Sequence, residues 1–163
     1  MKIQDCLKKE ALDTYIKRKN FLSQEVELLK NHMELLHDLN EIQEKPLWRA
    51  VYESASTRAV KLLRNSGYTF SKLRSFIKQK TLREYRIFVY PIIDKLGKRE
   101  EELKKDVEAL KHFRDRIVVH LDPRFVFNEK RLNENFVEVT LLDKVNDFLQ
   151  HMAFTLFIKD IKI

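Results

Sequence analysis

Only two glycines and three prolines interrupt the 163 residues, and this scarcity of chain breakers constrains the fold more than any other feature. Sandwiches and α/β folds need many tight turns, and tight turns draw on glycine and proline. A chain this poor in both is predicted to be all-α, an antiparallel up-and-down bundle of four to six helices. Its length suits one domain, residues 1–163, that buries its core without disulfide or metal staples.

Apolar periodicity divides the bundle. Residues 2–41 read as helix, with Leu7, Ala11 and Tyr15 on one stripe and Val26, Leu29, Met33 and Leu36 on another; one bent helix and two helices fit equally. Pro46 suits the first turn of a helix over Leu47–Asn65, where its missing N–H costs nothing, and Ser66-Gly67 suits its end. Ser71 is placed to cap a short helix reaching Gln79. The next helix runs from Leu82 and contains Pro91, so a kink or break is expected near Tyr90. From Lys98 to Leu121 the pattern is uninterrupted, and Pro123 stops it. Asp122–Glu138 reads as an irregular connection with a strand-like piece at Arg124–Phe127, and Val139–Ile158 as a final helix buried on nearly every side.

Composition narrows the function classes. The single cysteine, Cys6, excludes an internal disulfide framework and a cysteine-based zinc site, and points to a reducing cytoplasm. The opening M-K-I-Q-D-C-L-K-K-E lacks the apolar region of a signal peptide. Ile87–Ile93, the longest apolar run, falls far short of the ~20 residues that span a bilayer. A soluble cytoplasmic protein without membrane contact is expected. The net charge is +7, and it is concentrated. Arg58, Lys61, Arg64, Lys72, Arg74, Lys78, Lys80, Arg83 and Arg86 stand against one acid, Glu84. Tyr68, Phe70, Phe76 and Tyr85 lie among them. Cations for phosphates and rings for bases are the ingredients of single-strand RNA binding, and a solvated basic face with core aromatics is the plain alternative.

The segment F-R-D-R-I-V-V-H-L-D, Phe113–Asp122, contains the residues best suited to chemistry. At about 100° per residue, Leu103, Val107, Leu110, Ile117 and Leu121 form one core-facing stripe. Arg114 falls in the middle of that stripe, where an arginine is seldom found unpaired. Either it joins an internal salt bridge, or it projects into a cleft or seam and binds a phosphate. His120 stands in the last helical turn, where the dipole favours its protonated form and a proton can be exchanged near neutral pH. Asp122 either holds the imidazole or starts the loop.

R-D-R-I-V-V-H-L-D resembles the signature of the HEPN superfamily, an arginine followed by a polar residue, here Asp115, and a histidine a few positions on. The abortive-infection branch is the most similar in character, and L-W-R-A-V-Y-E-S at Leu47–Ser54 looks like that branch's second helix. Val119 stands where that branch usually has a small residue. The resemblance implies a two-fold homodimer that brings Arg114 and His120 of both subunits into one cleft. It further implies a metal-independent endoribonuclease of a toxin–antitoxin or antiphage system, with RNA as substrate, a possible antitoxin protein as partner and no cofactor. His120 would act as general base or acid, Arg114 would stabilise charge on the phosphate, and Asp115 would orient one of them. Other members of the superfamily are non-catalytic, so an RNA-binding or protein-interaction module is the alternative. Glu34 and His37 match one half of a di-iron motif whose second half is missing, and this reads as coincidence.

Overall fold

A computed structural model describes residues 1–64, 67–115 and 137–162. Among the described residues the α-helices are α1 (Leu12–Asp38), α2 (Lys45–Leu63), α3 (Phe70–Lys80), α4 (Arg86–Glu102), α5 (Lys104–Phe113) and α6 (Val139–Phe157). The protein is an all-α antiparallel bundle. Among the described residues no helix is long and apolar enough to cross a membrane.

Side-chain pairs fix the helix directions. Glu25 meets Arg58, and Phe21 lies under Lys61, so α2 runs back along α1. His37 meets Asp143, Gln150 donates to the Val26 carbonyl, and Tyr15 donates to the Leu156 carbonyl at 2.7 Å. This ladder sets α6 antiparallel to α1 along most of its length. Lys78–Asp94 and Arg74–Glu100 set α4 antiparallel to α3 in the same way. One core joins these helices. Leu22, Val26, Leu29, Met33 and Leu36 from α1 face Tyr52, Ala55, Ala59 and Leu62 from α2, with Leu142, Val145, Leu149 and Met152 from α6. Each large aliphatic side chain removed from water contributes about 1.5–3 kcal/mol, so the stripe α1 presents at helical spacing is sufficient reason for its position.

The helix expected over residues 2–41 begins only at Leu12. The first eleven residues form two 3₁₀ turns, Ile3–Cys6 and Lys9–Ala11, because their backbone is bonded elsewhere. Lys8 N–H donates to the Lys80 carbonyl and Leu82 N–H to the Cys6 carbonyl, both at 2.9 Å, and Leu7 forms a β-bridge with Thr81. From Leu12 to Asp38 the chain is one continuous helix.

Three further expectations are corrected. The cap of α3 is Thr69, whose hydroxyl accepts from Lys72 N–H at 3.3 Å, and not Ser71, which is already helical. Pro91 does not break α4; it lies in the second turn, and the one carbonyl it leaves unpaired belongs to exposed Ile87, where solvent can satisfy it. The break falls instead at Leu103, between α4 and α5. Glu100, Glu101 and Glu102 crowd the C-terminal turn of α4, the end at which the helix dipole disfavours anions, while buried Leu103 anchors the joint. The uninterrupted helix expected over Lys98–Leu121 is therefore two helices up to residue 115. The rest of it, and the irregular connection expected up to residue 136, lie outside the described residues.

Candidate functional site

The end of α5 is built around an aromatic cluster. Trp48 and Tyr52, one turn apart on α2, are stacked at 5.3 Å, and Phe113 meets Tyr52 edge-on at 5.2 Å. The Tyr52 hydroxyl donates to the Val137 carbonyl, tying the chain just before α6 to the same cluster. Burial raises the Tyr52 phenol above its ordinary range. Leu47–Ser54 and Phe113–Asp115 are far apart in sequence, and here they are in contact.

Beyond Phe113 the backbone widens into a π turn at residues 114–115, an irregularity often found where a helix serves a functional site. Arg114 keeps its place on the core-facing stripe, with its side chain only 8% exposed. Its Nε donates to Asp115 Oδ1 at 2.8 Å, and Nη2 donates to the same oxygen. Among the described residues the acid that meets Arg114 is thus its immediate neighbour. Partial burial pushes the Asp115 carboxyl up, but the Arg114 hydrogen bond and charge, with Arg64 and Lys111 nearby, outweigh it and hold Asp115 below the usual carboxylate range.

Arg64 and Lys111 open onto a groove of about 480 Å³ between the end of α2 and the α4–α5 joint. Its acids are largely committed: Glu101 to Lys104, Glu108 to Lys111 and Glu100 to Arg74. Arg64 has no acid partner among the described residues. Asp115 is bound by Arg114 and Lys111 by Glu108, so the charge of Arg64 is left over at the groove, an arrangement with residual attraction for an anion. His120 lies outside the described residues.

The fold treats the nine basic residues of Arg58–Arg86 unequally. Arg58 and Lys61 both bind Glu25, Arg74 binds Glu100, and Lys78 binds Asp94. These four cations share three acids from α1 and α4, which a local charge count cannot include. Lys72, Arg83 and Arg86 are exposed, and Lys80 is half-buried. Lys72 and Tyr68 meet Arg18 of α1 at a second recess of about 300 Å³, and the Phe21 ring packs against Tyr68, a grouping that nothing in the order of residues suggests. Glu34 and His37 are occupied separately, by Lys30 at 3.6 Å and by Asp143 at 2.7 Å. Among the described residues no group of three or more His, Cys, Asp or Glu is placed to hold a metal ion.

No protein-family model, no curated protein and no solved structure matches this chain.

Proposed function

We propose that this protein is an RNA-directed helical module of HEPN type, acting as a metal-independent endoribonuclease in toxin–antitoxin or antiphage defence. The observation that carries the reading is Arg114 held by Asp115 at the end of α5, with Arg64 and Lys111 lining the groove between the end of α2 and the α4–α5 joint. RNA supplies its own nucleophile in the 2′-hydroxyl, so the protein need only move a proton and stabilise charge on the phosphate. Arg114, held in one orientation by Asp115, presents the remaining donors of its fork to non-bridging oxygens without reorganising. His120 takes the proton-transfer role. A two-fold dimer would pair two such sites in one cleft.

A non-catalytic module is the second reading, and one observation favours it. Arg114 is nearly buried and its charge is already met by Asp115, as in an internal salt bridge that only fastens the end of α5.

The test is incubation of the purified protein with mixed RNA in EDTA, beside the Arg114→Ala, His120→Ala double variant. Cleavage by the wild type alone supports the nuclease. Cleavage by both traces the activity to a contaminant or to another site. If neither cuts the mixed RNA, the endoribonuclease reading gives way to the non-catalytic one.

A further inference from the structure

We propose that the recess between α1 and the start of α3 is a stacking site for an unpaired base of a single-stranded nucleic acid. Tyr68 is the platform. It is 59% exposed, and unlike the smaller aliphatic side chains on the surface it is held in a defined pose. The Phe21 ring lies 5.6 Å away at 52°, and the Arg18 guanidinium sits 6.0 Å from the Tyr68 ring and 4.5 Å from that of Phe76. Lys61 lies 5.4 Å from the Phe21 ring. Two rings braced by cations, with an accessible aromatic face, are suited to stacking a base whatever its identity.

The surrounding charge selects the occupant. Neither Arg18 nor Lys72 has an acid partner among the described residues. Lys72 lies in the first turn of α3, where the helix dipole opposes a cation, so its charge serves no helix-stabilising purpose there. Glu25, the carboxylate bound to Lys61, is also held by Arg58. The edge of the recess is therefore cationic, which fits a phosphate on each side of a stacked base better than an apolar or basic peptide. Gly67, immediately before Tyr68, has a φ of +83°, a left-handed conformation rarely adopted by other residues. A duplex keeps its bases inside, so the site discriminates against paired strands.

This binding does not depend on the nuclease reading, and the experiment separates the two. A fluorescein-labelled dT12 strand, which has no 2′-hydroxyl to serve as nucleophile, is titrated with the protein, beside a labelled DNA duplex of equal length. The single strand is expected to bind more tightly. Tyr68→Ala should weaken it about ten-fold, the magnitude of one lost stack, while Tyr68→Phe should retain wild-type affinity. Lys72→Ala should reduce the dependence of log affinity on log salt by about 0.7, one phosphate contact on a single strand. Equal affinity for strand and duplex, a Tyr68→Ala variant with unchanged binding, or a Tyr68→Phe variant as weak as Tyr68→Ala would overturn the site. Because Tyr68 is exposed, circular dichroism should show these variants folded, so a loss of binding reports on the ring.

Discussion

Arg74 reaches from α3 to Glu100 on α4 while its guanidinium lies 3.6 Å from the Met152 sulfur on α6, so one buried cation joins three helices. The two side chains are 10% and 18% exposed. Removing one partner strands the other charge where water reaches it poorly, which typically costs about 3–5 kcal/mol. Arg74→Ala should lower the urea midpoint by a corresponding amount, whereas Arg74→Met combined with Glu100→Leu should recover most of the loss. A single variant within about 1 kcal/mol of wild type would instead show a pair behaving like an exposed one.

The two glycines are expected to respond in opposite directions to alanine. Gly97 lies inside α4, and a Cβ there would meet Arg74 Nη2 at 4.0 Å, an ordinary contact. Gly97→Ala should therefore stabilise by about 0.5–1 kcal/mol through lower chain entropy. At Gly67 there is open space for the Cβ but a left-handed backbone, and Gly67→Ala should destabilise by about 1–2 kcal/mol. Chemical denaturation of both variants decides this, and equal signs would contradict it.

Asp115 links stability to acid pH. Its carboxyl is held below the ordinary value of 3.8 because the Arg114 hydrogen bond and the surrounding cations outweigh partial burial. The folded state then releases this proton more readily than the unfolded state does. The contribution is present above the unfolded value and is lost as pH falls through the lower folded one. Asp115→Asn should be less stable than wild type at pH 6, and the difference should shrink below pH 4. A gap that persists undiminished at pH 2 would mean that charge on Asp115 is not its source.

His32 acts in the neutral range. Burial and the charge of Arg58 lower its pKa from 6.5, and its Nδ1 is buried with no hydrogen-bond partner among the described residues. The unfolded chain therefore takes up this proton first as pH falls. Stability attributable to neutral His32 should be intact above pH 6.5 and decline below it. Thermal melts at pH 7.5 and 5.5 should show a smaller drop for His32→Gln than for wild type. Identical drops would assign the pH dependence to other groups.

The candidate site was legible in part. The position of Arg114 on the core-facing stripe was readable at 100° per residue because helical phase is a local property, and its burial follows from that phase. That Asp115 is its partner does not follow from helical phase: only the structure shows one carboxylate oxygen accepting from two guanidinium nitrogens. The positive run Arg58–Arg86 was visible, yet four of its cations meet three acids, Glu25, Asp94 and Glu100, from other helices.

By itself the sequence determined that the chain is helical, where most helices lie and which faces are apolar. Breaker content, periodicity and the proline at the start of α2 act over a few residues, and each records its effect locally. Tertiary structure alone decided that residues 1–11 leave the helix to bond with Lys80 and Leu82, and that the chain breaks at Leu103 and not at Pro91. It also decided which cations remain unpaired, and that Arg18 and Phe21 stand beside Tyr68. Backbone partners and ion pairs are chosen among groups distant in sequence, and the choice depends on which surfaces the core brings together.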